Sequence, residues 1–232
     1  MVDITPSNGA YTIFFDGACE PVNPGGVATW GFVVYKDNNL IHADCGIAGT
    51  PFSINSTNNF AEYTALIKAL EYCLKKDIER EGIERKSIER ENIKKGIKEE
   101  SIEKGIKKDI KHLLVKGDSQ LVIKQITGGY SVRSACILPL YMKASVYARK
   151  FETIVFKWVP REENKEADRL SKKAYTDYVS SINPDSIVLP FGRFKGHTIF
   201  WLKKYRPRYV EWLANQTWLS PELKEILNSV ER

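Results

Sequence analysis

The feature that most constrains the fold is a run of three short apolar segments near the N-terminus, each bounded by glycine, asparagine or aspartate. The segments are Tyr11–Asp16, Trp30–Tyr35 and His42–Ala48. Aromatic and β-branched residues favour strands, and short polar connections favour pairing between consecutive strands. We therefore predict an antiparallel meander of three strands.

The next part of the chain alternates between helical and strand patterns. Thr57 or Asn58 can cap a helix whose apolar positions recur at helical spacing as far as Cys73. The later predicted elements are a strand at Leu113–Asp118, helices at Ser119–Ile126 and Ile137–Phe151, a strand at Ile154–Val159 and a helix at Glu163–Val179. This order predicts an α/β fold with a mixed five-stranded sheet covered by helices.

The stretch 75–111 is a charged insertion of low complexity. Its eight isoleucines are four or five residues apart, so they drift around a helix and form no single stripe. We predict a helical protrusion that doubles back at Gly96. A basic surface that contacts nucleic acid and a solvated surface insertion are both open interpretations, and mixed charge favours the second.

The charge of +6 is unevenly distributed along the chain. Residues 1–74 hold two basic and seven acidic side chains, whereas residues 113–182 hold twelve and seven. This asymmetry is compatible with binding of an anionic polymer by the C-terminal half of the chain. It is equally compatible with an ordinary basic protein that binds no such polymer.

The sequence also gives an expectation for the cellular compartment of the protein. The four cysteines form no CxxC pair, which argues against a structural zinc site and a disulfide framework. No apolar run is long enough to span a membrane, and the first ten residues lack the pattern of a secretory signal. We expect an intracellular, cytoplasmic monomer with no membrane partner.

Four acidic residues stand at places where carboxylates can converge. Asp16 and Asp118 each end a predicted strand, and Glu62 and Asp168 lie in predicted helices. Each acid alone is more often an ordinary surface carboxylate. Carboxylates that cluster supply the hard oxygen ligands that two Mg2+ ions need for phosphodiester hydrolysis, but no spacing in the sequence shows that these four cluster.

Four stretches resemble the type 1 ribonuclease H family: FFDGACEPVNPGGVATWGFVV, STNNFAEYTALIKAL, VKGDSQLVIKQITGGY and FKWVPREENKEADRLSKKA. The resemblance covers about residues 10–180 apart from the insertion. It implies the ribonuclease H fold, with three antiparallel strands followed by two parallel ones, in a catalytic domain at 1–182. It also implies that Asp16, Glu62, Asp118 and Asp168 bind two Mg2+, or Mn2+, ions.

The implied activity is an endoribonuclease that cuts the RNA strand of RNA–DNA hybrids and leaves 5′-phosphate and 3′-hydroxyl ends. The alternative is a catalytically weak or inactive module that binds hybrids. A DNA-directed nuclease on the same fold is disfavoured by the NPGG and TNNxxxE motifs, which suit the reading of 2′-hydroxyl groups.

The resemblance further implies which residues bind nucleic acid: Gly17, Cys19, Asn23, Asn58, Asn59, Gln120, Arg161 and Asn164. The asparagines have an alternative reading as turn and cap residues, and Arg161 as an exposed side chain. Two departures from the family stand out. The loop WVPREEN lacks the histidine that many relatives carry, with Trp158 close to that place, and the basic handle helix of some bacterial relatives is absent.

A C-terminal module at 187–232 follows a linker at 183–186. Its segment LPFGRFKGHTIFWLKKYRPRYVEWLA resembles a small domain found at the C-terminus of exonuclease X-like proteins. Basic residues alternate there with aromatic ones, which suits contact with nucleic acid or with a protein. The alternative, which we favour for the aromatic residues, is that they form the core of a small domain.

Overall fold

The computed structural model describes residues 10–95, 110, 112–181, 187–189, 191–219 and 221–228. Five strands form one sheet: β1 Tyr11–Glu20, β2 Val27–Lys36, β3 Asn39–Ile47, β4 His112–Gly117 and β5 Thr153–Trp158. Their order is β3-β2-β1-β4-β5. The β1–β2 and β2–β3 pairs are antiparallel, and the β1–β4 and β4–β5 pairs are parallel. The mixed five-stranded sheet is therefore confirmed, with its first three strands longer than the sequence predicts.

Seven α-helices lie in the described residues: α1 Asn58–Lys95, α2 Gln120–Ile126, α3 Leu138–Ala148, α4 Lys165–Ser181, α5 Ile199–Tyr205, α6 Pro207–Ala214 and α7 Pro221–Asn228. A 3-10 turn at Arg161–Glu163 precedes α4. Helix α1 begins as predicted, because the Thr57 hydroxyl accepts a hydrogen bond from the backbone N–H of Phe60 at 3.1 Å. Helix α2 ends at Ile126, and Gly128 just after it has a φ of 82°, the left-handed conformation that glycine adopts at low cost.

The sheet lies between two helical layers. Helix α1 covers one face, with fully buried Ile13, Phe15, Leu66 and Leu70 between α1 and the sheet, and α3 packs against α1. Helix α4 covers the other face, where it packs on β1, β2 and β3. Because both faces are buried, every residue of β2 from Val27 to Val34 is buried.

Helix α1 continues well into the charged insertion. It reaches Lys95 through Gly82, so the predicted helical character of this segment is confirmed to that residue. The predicted turn at Gly96 and the returning segment lie outside the described residues. No helix among those that the structure describes is long and apolar enough to cross a membrane.

The C-terminal residues form a second core. Its fully buried members are aliphatic: Leu189, Ile199, Leu202 and Leu213. The expectation that the aromatic residues form this core is wrong for four of them, which are about half exposed: Phe200, Tyr205, Trp212 and Trp218. Phe52 from the β3–α1 loop and Val179 from α4 pack against this second core.

Candidate functional site

Three acidic side chains meet at one edge of the sheet. Phe15 of β1 pairs with Gly117 of the parallel strand β4, so Asp16 and Asp118, each one residue further along, lie side by side. Glu62 reaches the same place from the second turn of α1. One carboxylate oxygen from each of the three acids lies within 4.8 Å of the other two. This spacing allows the three carboxylates to hold one metal ion.

Gly17 brings α1 close enough for Glu62 to join the group. A β-carbon at this position would lie 2.2 Å from the backbone nitrogen of Glu62 and 2.4 Å from the carbonyl carbon of Ala61. The backbone of Gly17 also forms a hydrogen bond with the Glu62 carboxylate. Glycine is therefore required here by the close approach of a helix to the strand.

Gly31 has the same role on the opposite face of the sheet. It pairs with Asp16 across the β1–β2 ladder, and a β-carbon there would lie 2.6 Å from the backbone nitrogen of Ser171 and 2.7 Å from the carbonyl oxygen of Ala167. Helix α4 therefore lies directly against β2. This contact brings the fully buried Ser171 hydroxyl into hydrogen-bonding contact with the Asp16 carboxylate.

Two of the three carboxylates, Asp16 and Glu62, are held in an environment that disfavours their charge. Asp16 is 5% exposed and Glu62 is 8% exposed. Burial and the neighbouring Asp118 and Asp168 raise the pKa of Asp16 to about 6, although the hydrogen bond from Ser171 opposes this rise. Burial, together with Asp16 and Asp118, raises the pKa of Glu62 well above its usual range.

A divalent cation fits this site. The Oε2 atom of Glu62 is buried and has no hydrogen-bond partner among the described residues. An unpaired buried carboxylate oxygen is costly, and so is the mutual repulsion of close acids. A hard cation bound by these oxygens would relieve both costs.

Asp168, the fourth predicted ligand, has a different environment. Its carboxylate accepts hydrogen bonds from the Arg161 guanidinium and, at 2.7 Å, from the Lys172 ammonium group. Burial raises the pKa of Asp168, but the two cationic donors outweigh it, and the net shift is downward. The Asp168 carboxylate therefore stands outside the group of three acids. Its backbone carbonyl lies 2.9 Å from the same Ser171 hydroxyl that contacts Asp16.

Asn164 lies inside the site. The side chain is 1% exposed, and its Nδ2 donates to Asp118 Oδ1 at 2.7 Å and to the carbonyl oxygen of Phe15 at 2.9 Å. The Oδ1 atom, which a side-chain helix cap would use as its acceptor, is buried and has no hydrogen-bond partner among the described residues, so the alternative of a side-chain helix cap is wrong. Asn164 fixes the position of the Asp118 carboxylate and ties the start of α4 to the end of β1.

The other predicted binding residues lie on or next to the segments that carry the acids. Asn23 Oδ1 accepts a hydrogen bond from the backbone N–H of Asn58 at 3.2 Å, so the loop before β2 is joined to the start of α1. The Cys19 thiol is buried and lies 3.3 Å from the carbonyl oxygen of Ser56, which leaves the backbone of Cys19 as its remaining means of contact with a ligand. The asparagines at 23, 58 and 59, Gln120 and Arg161 are exposed.

Three contributors to the site were missed by the sequence reasoning: Gly31, Ser171 and Lys172. A glycine inside an otherwise apolar strand, as in WGFVV, is a recognisable indication of close backbone approach. Lys172 stands four residues after Asp168, which is the spacing of a helical ion pair. Ser171 gives no comparable signal, because a serine inside a helix is ordinary.

Comparison with known proteins agrees with this geometry. A protein-family model described as reverse transcriptase-like matches residues 100–174, about a third of the chain. The bifunctional protein Rv2228c of Mycobacterium tuberculosis is 38% identical over 69 residues, which are 30% of this chain and 19% of that protein. Ribonuclease HI of Halobacterium salinarum is 28% identical over 169 residues, which are 73% of this chain and 66% of that one.

Solved structures of both proteins superpose on this chain. The N-terminal ribonuclease H domain of Rv2228c has a TM-score of 0.52 at 26% identity, covering 74% of this chain and 97% of its own. Ribonuclease H1 of H. salinarum has a TM-score of 0.51 at 27% identity, covering 72% and 98%. A compost-derived ribonuclease H1, LC11, solved with an RNA/DNA hybrid, has a TM-score of 0.50 at 24% identity, covering 73% and 99%. The chain has a ribonuclease H-like fold, and the similarities support a relationship with ribonuclease H proteins.

Proposed function

We propose that this chain is a ribonuclease H that hydrolyses the RNA strand of RNA–DNA hybrids in the presence of Mg2+ or Mn2+. The observation that carries the proposal is the convergence of Asp16, Glu62 and Asp118, whose carboxylate oxygens lie within 4.8 Å of one another at the sheet edge. The similarity to the two ribonucleases H supports the same conclusion.

Each residue around the acids has a role in this proposal. Asp16, Glu62 and Asp118 hold divalent cations, and Asn164 keeps the Asp118 carboxylate in position. Two such cations would activate water and stabilise the leaving 3′-oxygen, which yields 5′-phosphate and 3′-hydroxyl ends. In this proposal Asp168 is the fourth ligand, and it has to leave its pairing with Arg161 to act as one.

The exposed residues around the acids suit a hybrid substrate. A hybrid displays 2′-hydroxyl groups in a shallow minor groove, where an amide can both donate and accept a hydrogen bond. Asn23, Asn58, Asn59 and Gln120 supply such amides beside the carboxylates. The backbone between Gly17 and Cys19 lies along the same strand end. The structure of LC11 was solved with an RNA/DNA hybrid, so such a hybrid is the first substrate to test on this chain.

The ion pairing of Asp168 favours a second candidate function. A carboxylate held by both Arg161 and Lys172 is less available to a cation than the other three. If Asp168 stays paired, the site holds a metal weakly, and the chain acts as a hybrid-binding module with little or no catalysis. An intracellular, monomeric protein is expected under either function.

The deciding experiment compares an end-labelled RNA–DNA hybrid with DNA and RNA duplexes of the same sequence, each incubated with Mg2+, Mn2+ or EDTA. We expect cleavage of the RNA strand of the hybrid with either metal and none with EDTA. Asp118→Asn should abolish cleavage while it preserves the Oδ1 acceptor for Asn164. Asp177→Asn, at an exposed acid on α4, is the matched control and should cut normally.

Binding measured in EDTA separates the two candidate functions. Binding of the hybrid without cutting in either metal would support the hybrid-binding module. Cutting of the DNA duplex at a comparable rate would contradict both. Restored cleavage in Arg161→Gln, where Asp168 loses one partner, would show that ion pairing had suppressed the site.

A further inference from the structure

The C-terminal module carries a continuous row of aromatic rings on its surface. The row comprises Trp212, Tyr209, Phe194, Trp201 and Tyr205, with successive ring centroids 5.4, 4.8, 6.2 and 5.3 Å apart. We call it the aromatic row. Its two ends are open to solvent, since Trp212 is 52% exposed and Tyr205 is 50% exposed.

The folding of the module does not account for these exposed ends. The second core is closed by aliphatic side chains, with Leu189, Leu202 and Leu213 fully buried. Large aromatic side chains left half in water contribute less to stability than buried ones, and an exposed apolar patch commonly marks a binding surface. Phe194, Trp201 and Tyr209 are partly buried against the second core, so contact with a partner is needed to explain only the two exposed ends, Trp212 and Tyr205.

Positive charge accompanies the row. The Arg206 guanidinium lies 5.7 Å from the ring centre of Phe194 and 5.5 Å from that of Trp201, and the Arg193 guanidinium lies 5.6 Å from that of Phe194. Residues 191–214, which include the whole row, contain six basic side chains and one acidic side chain, Glu211. The row is therefore embedded in a surface that attracts anions.

The turn before α5 keeps the row in place. Gly192 and Gly196 have φ of 73° and 90°, and a β-carbon on Gly192 would lie 2.7 Å from the Tyr209 hydroxyl oxygen. The turn therefore packs against one ring of the row while it carries a second, Phe194. A partner meets rings whose spacing is already set, so little ordering is needed on binding.

We propose that the aromatic row and its arginines bind single-stranded nucleic acid. Exposed rings stack on unpaired bases, and neighbouring cations contact the phosphates, which is the pattern of sites that bind single strands without sequence preference. In a duplex the bases are already stacked on one another, so the rings would find no partner there. An acidic protein segment would satisfy the arginines but would leave the row of rings without a role.

This binding is separate from the proposed catalysis. The row lies on α5, α6 and the preceding turn, and none of its residues contributes to the carboxylate site. Its role would be to hold a single-stranded segment that flanks a hybrid. Loss of this binding and loss of cleavage can therefore be measured independently.

The test uses the full chain in EDTA and measures fluorescence anisotropy with a labelled oligodeoxythymidine of about 20 nucleotides, longer than a typical single-strand site. Tyr205→Ala and Trp212→Ala should each weaken binding about tenfold, because each removes one stacking ring. Trp212→Phe keeps a ring and should bind within about threefold of the unchanged chain. The matched control is Trp218→Ala, since Trp218 is equally exposed in the same module but packs on Phe191, outside the row.

Competition with other ligands tests whether the row prefers single strands. A blunt DNA duplex and an oligoglutamate peptide should compete poorly for the labelled strand, and cleavage of a blunt hybrid should be unchanged in both alanine variants. The proposal is overturned if the Tyr205→Ala/Trp212→Ala double variant binds oligodeoxythymidine as tightly as Trp218→Ala does. Preference for oligoglutamate would overturn it in favour of a protein partner. Thermal unfolding confirms that each variant is folded before binding is compared.

Discussion

Asp16→Asn should make the metal-free protein more stable while abolishing its activity. Asp16 is buried beside Asp118 and Glu62, and its pKa is raised from 3.8 to about 6. Each pKa unit corresponds to 1.36 kcal/mol, so keeping this carboxylate charged in the folded protein costs about 3 kcal/mol above pH 6. Asparagine has nearly the same shape and carries no charge, so it removes this cost.

The pH dependence follows from the direction of the shift. Between about pH 4 and pH 6 the folded protein keeps a proton on Asp16 that the unfolded chain releases, so the free energy of unfolding falls as the pH rises through this window. Above pH 6 the loss is complete. The stability advantage of Asp16→Asn should therefore be absent near pH 4, grow through the window, and reach about 3 kcal/mol at pH 8.

Urea unfolding of both proteins in EDTA at several pH values measures this difference. Mg2+ should then raise the unfolding free energy of the unchanged protein more than that of Asp16→Asn, since only a ligand that binds the folded state stabilises it. Asp177→Asn is the control: its side chain is 58% exposed and pairs with Lys173, and its removal should change stability by less than about 1 kcal/mol. Equal unfolding free energies of Asp16→Asn and the unchanged protein at pH 8 would refute the argument that burial and the neighbouring acids make a charged Asp16 destabilising.

Three further predictions concern the scaffold around the acids. Asn164→Ala removes the bond to Asp118 and should lower the rate of hybrid cleavage at least about tenfold and the unfolding free energy by about 1–3 kcal/mol, as read by steady-state cleavage and urea unfolding. Gly17→Ala places a methyl group 2.2 Å from the backbone nitrogen of Glu62, so thermal unfolding should show a loss of about 3 kcal/mol or more; an unchanged midpoint would contradict the required close approach. Deletion of residues 79–108 should leave cleavage of saturating hybrid nearly intact, because the site lies at the other end of α1; a collapse of activity would assign the insertion a direct role.

Much of the five-stranded fold could be predicted because local pattern and final structure agree. The aromatic and β-branched segments became β1, β2 and β3, and Thr57 and Gly128 mark a helix start and end where cap chemistry places them. The sequence also predicted that Asp16 and Asp118 each end a strand, but their meeting was implied only by the family resemblance, because it depends on β1 and β4 being neighbours in the sheet.

The environment of Asp168 could not be predicted in the same way. The pairing with Lys172 is readable from its i,i+4 spacing, but the pairing with Arg161 depends on a 3-10 turn that brings the loop back onto α4. The burial of Asn164 was likewise hidden, because a residue before a helix is usually a cap. Its side chain turns inward because the carboxylate of Asp118 and the carbonyl of Phe15 both lie within its reach.

The C-terminal module was misread for a different reason. A small domain needs large apolar side chains, so its many aromatic residues were expected inside. The fully buried residues of that interior are leucine and isoleucine instead. Phe191, Phe194, Trp201 and Tyr209 pack against them partly buried, whereas Trp212 and Trp218 are about half exposed. The hydrophobicity of a side chain alone does not show whether it is buried in the core or exposed on the surface.

The contact of Phe52 and Val179 with the second core has a consequence for how this chain can be divided. Phe52 belongs to the loop that precedes α1, and its backbone N–H donates to Gly26, beside the loop that carries Asn23. A chain cut between residues 181 and 187 would leave those two side chains facing water and would remove a support from behind the loop that carries Asn23. The C-terminal module is thus packed against the rest of the chain. Fusing either part to an unrelated protein would require this apolar contact to be replaced.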